Sequence, residues 1–446
     1  MHNVDKKAFK ATESLLNQAK RVITGTTKRT RIECLNMLTD EQPAAIKLEN
    51  AKLRFWARKT CQDKSIVGQV LNDPTYMKNK SNKGRDIGVV KNTNTILKEP
   101  NIAQSQAAPY VIKNQIVDVP SLEIDTSLTD RISKQRDNEV HMKQASLEHL
   151  STSYKTHIKV YTDGSKIPDP TSNEMVGIGI YSGKSHLNFS LSRRVSDNVS
   201  IATAELKAIH KALHKVKQLT ETEHCPYSAK VVICTDSLSA AQALQSNDAS
   251  RPDIVQQIIR LSQRIKSSFN IAVTLLWIPS HVNIAGNEKA DLLAKKALNR
   301  PNIDCDIGLG KTELESLIVK RQQIKRNRQW QHLQFDSVKH TREIVPSLLN
   351  FNISLGNQYE KRNRLLVNAP RFLSKGPINC DFCEVNKTVK HVLLECDLFI
   401  GNRDYIIDMF RAQNTEFNLK NILDVKPLKT LRRPILKYIN GIMENI

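Results

Sequence analysis

Aromatic residues are scarce in this chain of 446 residues, at 5 %, which argues against base stacking on an aromatic platform as the obvious way to hold a ligand. Long apolar runs are absent too: no window approaches the ~20 residues that cross a bilayer. The opening Met1-His2-Asn3-Val4-Asp5-Lys6-Lys7 has no apolar signal core. An intracellular protein, cytoplasmic or nuclear, is expected, neither secreted nor bound to a membrane. Cysteine occurs eight times without forming a disulfide framework: Cys34, Cys61, Cys225, Cys234 and Cys305 are scattered, whereas Cys380, Cys383 and Cys396 cluster. That pattern favours a reducing compartment with one metal site. Internal repeats are likewise absent.

Positive charge is what the chain has in excess. The formal charge is +22, with 25 Lys and Arg against 17 Asp and Glu in residues 1–150, 19 against 12 in 151–300, and 23 against 16 in 301–446. No single basic tail explains the excess, and a polyanionic partner does. Residues 5–24 read as an amphipathic helix that Gly25 closes, and a second helix is expected from about Pro43 to Cys61. From 66 to 150 the composition turns to Asn, Lys, Gln, Ser and Asp with little periodicity. This stretch reads as a mostly flexible linker, with Val117–Ile124 at best a short strand.

Residues 156–298 carry strand signals at 157–163, 175–181, 187–192, 230–235 and 271–278, and helix signals at 201–217, 237–245, 252–267 and 286–298. Three strands followed by alternating helix and strand imply an α/β fold, a mixed five-stranded sheet with flanking helices. The expected organisation is a helical region at 1–65, the linker at 66–150, the α/β domain at 151–300, and a basic helical region at 301–446 with a Cys/His module at about 375–400.

Four carboxylates stand where a solvated charge is not the natural expectation. Asp163 closes Val160-Tyr161-Thr162-Asp163-Gly164-Ser165, and Asp236 closes Val231-Val232-Ile233-Cys234-Thr235-Asp236. Glu205 lies on the apolar stripe Ile201, Ala208, Ile209, Ala212, Leu213, Val216, where an unpaired carboxylate costs several kcal/mol. Asp291 sits one turn before Ala294. Taken singly, Asp163 also reads as a turn residue, Asp236 as a helix cap, Glu205 as half of a buried ion pair and Asp291 as a surface charge. Convergent carboxylates imply a divalent cation.

The order of these residues, with Trp277-Ile278-Pro279-Ser280-His281 leading to Gly286-Asn287-Glu288-Lys289-Ala290-Asp291, resembles the type 1 ribonuclease H family over about 156–298. The resemblance implies that Asp163, Glu205, Asp236 and Asp291 hold two Mg²⁺ ions (or Mn²⁺), one activating water and the other stabilising the leaving 3′ oxygen. It implies that His281 assists proton movement or product release, and that the substrate is the RNA strand of an RNA–DNA hybrid. Ser165, Ser237 and Asn287 lie beside the matched motifs and are expected to touch the substrate backbone or sugar hydroxyls. One departure concerns Gln245–Asp253, where the lysine-rich extra helix of some bacterial members is missing. Hybrid binding then depends on basic segments outside the domain.

Cys380-Asp381-Phe382-Cys383, His391 and Cys396 form C-x₂-C-x₇-H-x₄-C, a set suited to one structural Zn²⁺. This arrangement, together with Ala19–Gly25, Pro43 and Arg54–Arg58, resembles the C-terminal part of non-LTR (LINE-type) retrotransposon polyproteins. The resemblance implies a reverse transcriptase or the element's RNA as further partners. No Tyr/Phe-x-Asp-Asp polymerase signature is present, so polymerase activity does not carry over. The expectation is a metal-dependent hybrid ribonuclease. A catalytically inactive nucleic-acid-binding remnant is the alternative, and an integrase-like nuclease a less favoured third.

Overall fold

The computed structural model describes residues 6–60, 122–133, 135–168, 173–184, 187–222, 229–246, 250–349, 359–367, 379–424 and 428–444. In chain order, helices α1 (Lys6–Thr24), α2 (Ile32–Leu38) and α3 (Ala44–Thr60) precede strand β1 (Glu123–Asp125) and helices α4 (Leu128–Arg131) and α5 (Glu139–Thr152). Strands β2 (Ile158–Lys166), β3 (Val176–Lys184) and β4 (Leu187–Val195) follow, then α6 (Ile201–Glu221), β5 (Lys230–Thr235), α7 (Leu238–Gln245), α8 (Pro252–Phe269), β6 (Ala272–Trp277) and α9 (Ala285–Leu298). The remainder is helical: α10 (Lys311–Gln331), α11 (Asp336–Ile344), α12 (Glu360–Leu366), α13 (Ile400–Ala412), α14 (Leu419–Ile422) and α15 (Lys429–Glu444). Among the described residues, no helix is long and apolar enough to cross a membrane. The chain forms two compact units, Lys52–Ile318 and Met1–Ala51 with Val319–Ile446.

The first unit is built on a mixed sheet in the order β1-β6-β5-β2-β3-β4. Strands β1, β6, β5 and β2 run parallel, and β3 and β4 return antiparallel. Strand β5 shows why both faces must be covered. Val231 and Ile233 enter the core shared with α6 and α8, whereas Val232 and Cys234 enter the core on the other face with Leu276 and Ile278. Period-two alternation in which both phases are apolar is the signature of a central strand. The five expected strands are all present, and β1 adds a sixth at the edge.

That sixth strand corrects part of the linker assignment. Residues 66–121 lie outside the described residues, but 122–133 and 135–150 are described and include β1, α4 and α5. Asp125 at the end of β1 accepts hydrogen bonds from Tyr154 Oη at 2.7 Å and His149 Nε2 at 2.8 Å. Burial alone would raise the Asp125 carboxyl, but those bonds and the Ser127 N–H outweigh it and bring it to about 2. The buried side of α5 is Met142, Ser146, His149 and Leu150. A serine and a histidine on that face erase the apolar periodicity, so the segment reads as a linker.

Helix α9 lies directly on β2 and β3, and glycines make this possible. A Cβ at Gly179 would stand 1.9 Å from the Ala290 carbonyl oxygen, and one at Gly177 2.4 Å from the Ala294 carbonyl. On the opposite face of the sheet, a Cβ at Gly164 would meet Ala204 Cβ at 3.1 Å, so α6 is also close. The unit continues past the expected boundary at 300: Cys305 N donates to the Arg194 carbonyl at 3.0 Å, and Leu309, Leu314, Leu317 and Ile318 join the core.

The second unit gathers Cys34, Met37 and Leu38 of α2 with Trp330, Val338, Ile406, Phe410, Leu431, Ile435 and Ile439 in one hydrophobic cluster. The expected division separates residues 1–65 from 301–446. Contacts across such a span leave no trace in local periodicity.

The glycine contact is testable. Gly179→Ala drives a methyl into backbone that cannot swing aside, and a loss of about 3 kcal/mol or more is expected in urea denaturation. Gly401→Ala in α13, where an added Cβ meets nothing within 4 Å, is expected to be neutral or slightly stabilising.

Candidate active site

Strand β2 does not turn at Asp163. It runs on to Lys166, and Asp163 pairs with Gly179 of β3. Its parallel pairing with β5 ends at Thr162 and Thr235, so Asp163 and Asp236 emerge where β5 stops and β2 continues. This is the carboxyl end of a central strand, next to the point where the sheet changes from parallel to antiparallel. Ser237 takes the cap of α7, its Oγ accepting from Ala240 N at 3.3 Å, so the Asp236 carboxylate is not spent as the cap. The indole N–H of Trp277 donates to the Asp236 carbonyl at 3.2 Å and fixes its backbone.

Glu205 projects from the second turn of α6, whose start is set by Ser200 accepting from Thr203 N at 3.1 Å. Its Oε1 accepts from Gly164 N at 3.0 Å, so the residue after Asp163 anchors the carboxylate beside it. Its Oε2 is buried with no hydrogen-bond partner among the described residues. Ligand oxygens of Asp163, Glu205 and Asp236 all lie within 4.8 Å of one another. Burial, then Asp236 and Asp291, push the Asp163 carboxyl up to about 8. Burial, then Asp163 and Asp236, hold Glu205 well above the usual carboxylate range. An orphaned buried oxygen in a set of crowded oxygen donors fits a divalent cation of the Mg²⁺ type.

Asp291, on α9, stands close enough to raise Asp163 but lies outside that trio. Its Oδ2 accepts from Lys295 Nζ at 2.7 Å, one turn along the helix. Sequence reasoning missed this lysine, although an Asp-to-Lys pair at i,i+4 is a readable signal. Asn287, expected to touch substrate, lies beside Asp236. It is 3 % exposed and donates to Asp236 Oδ2 at 3.1 Å, which makes it the group that orients that carboxylate. Ser237 is half-buried and capping, and Ser165 is half-buried in β2 opposite Gly177.

His281 is exposed in the loop between β6 and α9. Its backbone and that of Asn283 are left-handed, at φ 58° and 57°, while Val282 and Ile284 between and beyond them are buried. Two inward aliphatics hold the strained loop and turn the imidazole outward.

In the second unit, Cys380, Cys383, His391 and Cys396 bring their ligand atoms within 4.8 Å of one another. The Cys396 sulfur lies 3.7 Å from that of Cys380 and 3.8 Å from that of Cys383, too far for a disulfide. Glu384, left-handed at φ 56°, donates its N–H to the Cys380 carbonyl at 2.8 Å and closes a tight knuckle. Burial raises the Cys380 thiol, but hydrogen bonds with His391 and the N–H groups of Cys383 and Phe382 outweigh it and bring it down to about 6. Burial raises Cys396 to about 11. His391 Nε2 is buried without a partner among the described residues. Three sulfurs and an imidazole at this spacing suit a tetrahedral metal ion.

The sequence profile of the RNase H family matches residues 155–299. The chain is 27 % identical over 175 residues to a ribonuclease H of Saccharomyces cerevisiae, an alignment covering 34 % of this chain and 48 % of that protein. The chain therefore spans about half the length of that curated relative. Among solved structures, the RNase H1 of Halobacterium salinarum is 21 % identical, with a TM-score of 0.24 over 32 % of this chain and 98 % of that one. LC11-RNase H1 in complex with an RNA/DNA hybrid is 19 % identical, with a TM-score of 0.26 over 32 % and 99 %. Residues 155–299 are an RNase H domain.

Proposed function

We propose that this domain is a divalent-metal-dependent endoribonuclease of type 1 that hydrolyses the RNA strand of RNA–DNA hybrids, in a chain of retrotransposon origin. The observation that carries the reading is the convergence of Asp163, Glu205 and Asp236 from three separate elements into one cluster, with Asp163 and Glu205 buried and Asp236 half-buried. Asp163, Glu205 and Asp236 would hold the ions, with Asp291 completing the set. Bound Mg²⁺ supplies a nucleophile at neutral pH and Lewis-acid stabilisation of the departing 3′ oxygen.

The chain's own groups prepare that site. The Gly164 N–H fixes one oxygen of Glu205 and leaves the other buried without a hydrogen-bond partner among the described residues. Asn287 sets the plane of the Asp236 carboxylate. Lys295 offsets part of the charge on Asp291. His281, outward on its loop, is the proton carrier the surface offers to a departing product. An RNA strand is preferred because only it presents a 2′-OH at the scissile position.

Asp163→Asn separates catalysis from folding. Cleavage of labelled RNA–DNA hybrid is expected to fall by about 10³-fold or more, and EDTA to abolish it in the unmodified chain. Cutting of duplex DNA would sink the reading, and tight, salt-sensitive binding without cleavage would support the inactive remnant. The same substitution relieves repulsion. A folded carboxyl at about 8 lies above its unfolded value, so the folded state binds the proton more tightly. In EDTA the stability contribution is therefore fully present below the unfolded value and lost as pH rises towards 8. Asp163→Asn is expected to raise the metal-free Tm by about 2–6 °C at pH 8 and to flatten its fall between pH 5 and 8.

We assign structural Zn²⁺ to Cys380, Cys383, His391 and Cys396 on the strength of the donor set and the orphaned His391 nitrogen. Elemental analysis of the purified chain is expected to find about one zinc per molecule, lost in Cys383→Ser, with chelation lowering the second unit's melting temperature. Substoichiometric zinc in protein that is nevertheless fully folded removes the assignment.

A further inference from the structure

The second unit carries a groove of about 1060 Å³ along α1, lined by Lys10, Arg21, Lys28 and Arg364 with Glu13 as its one acid. We infer that this groove binds the phosphodiester backbone of a nucleic-acid strand. Residues 6–31 contain eight Lys and Arg against Glu13 alone. Two of the cations are held in place: Arg21 donates to the Asn17 and Thr30 carbonyls at 3.2 and 3.3 Å, and Arg364 donates to the Gly25 carbonyl. Lys10 and Lys28 are exposed and make no ion pair among the described residues. The other lining groups are amide, hydroxyl or aliphatic, without an aromatic ring. Fixed cations without stacking surfaces read backbone charge and not base identity. The RNase H domain of the same chain lacks a lysine-rich segment at Gln245–Asp253, which is why a strand contact elsewhere in the chain matters.

The test uses the full chain carrying Asp163→Asn, so that no substrate is consumed, and compares it with the same chain also carrying Lys10→Gln and Lys28→Gln. Fluorescence anisotropy with single-stranded RNA, single-stranded DNA and RNA–DNA hybrid of one sequence is followed across a salt series. Kd is expected to weaken about tenfold or more, and the salt slope to shallow by about 1.4 for single strands. Exposed Lys420→Gln and Lys437→Gln, removing the same charge elsewhere, should change it little. Equal weakening by both pairs, an unchanged slope, or binding of anionic phospholipid vesicles in place of the oligonucleotides overturns the inference. In parallel, the groove variant with Asp163 intact should keep its kcat on saturating hybrid, which separates this site from the catalytic reading.

A different observation carries a second inference, which rests on the carboxylate reading. Glu313, 4 % exposed and outside the matched RNase H residues, accepts from Ser200 N at 2.7 Å and Thr203 Oγ1 at 2.6 Å through Oε1. Its Oε2 accepts from Gly310 N at 2.7 Å and from Arg251 Nη1 at 3.0 Å. Arg251, 2 % exposed, is itself paired with both oxygens of Asp253. One carboxylate thus closes the N-terminus of α10 and that of α6, and α6 presents Glu205 one turn further on. We propose that Glu313 is a positioning residue for Glu205. Calorimetric Mg²⁺ binding by the unmodified chain tests the carboxylate reading by itself. Glu313→Gln, well below its Tm, is expected to weaken Mg²⁺ binding about tenfold and to lower kcat. Thr203→Val, which keeps the shape and removes one bond, should give a smaller change of the same sign. A lowered Tm with Mg²⁺ affinity and kcat both unchanged overturns the role.

Discussion

Helix α9 reaches the sheet because β3 presents Gly177 and Gly179 where side chains would otherwise stand between them. Two features of the site follow from that contact. It brings Asp291 within electrostatic reach of Asp163, and it carries Asn287 to the Asp236 carboxylate. The loop leading from β6 into α9 holds two left-handed residues, one of them His281. On the other face, Gly164 lets α6 close in, and its freed N–H anchors Glu205. Residues without side chains therefore decide where those with charge can meet.

Much of this is readable in advance, and the exceptions share a cause. A continuous apolar run marks β5 as central, and a helical stripe containing a carboxylate marks Glu205. Asp163 is harder, because Thr-Asp-Gly-Ser has turn composition; its glycine serves a helix contact across the sheet and not a chain reversal. Asp236 reads equally as a cap until Ser237 is seen to fill that place. Asn287 looks outward by composition and is buried in fact. Segment 122–150 reads as a linker because its inward residues include His149 and Ser146, whose burial is satisfied by Asp125 and by the Met142 carbonyl. In each case a distant partner decides between local alternatives, and such partners leave no local pattern.

The two donor clusters obey the same physics through different elements. Three carboxylates in one unit, and three sulfurs with an imidazole in the other, are drawn together, and in each cluster all but one residue (Asp236 and Cys383) are buried. Each retains a polar atom with no partner among the described residues, Glu205 Oε2 in one and His391 Nε2 in the other. A buried acceptor left open costs about 1–3 kcal/mol, more when charged, and protein folds otherwise avoid it.

That cost bears on whether the carboxylate site still works. Stability alone gains nothing from this crowding, because Asp236 and Asp291 raise the proton affinity of Asp163, Asp163 and Asp236 raise that of Glu205, and Glu205 has no arginine beside it among the described residues as Glu313 has Arg251. The contrast lies within one domain. Where the fold needs a buried carboxylate for structure, it supplies an arginine and two backbone N–H donors. At the three-carboxylate cluster the Gly164 N–H serves Glu205 and the Asn287 amide serves Asp236, while burial and neighbouring carboxylates hold Asp163 and Glu205 towards their protonated forms. Under the proposed reading, a divalent cation would supply at Glu205 the balancing charge that Arg251 supplies at Glu313.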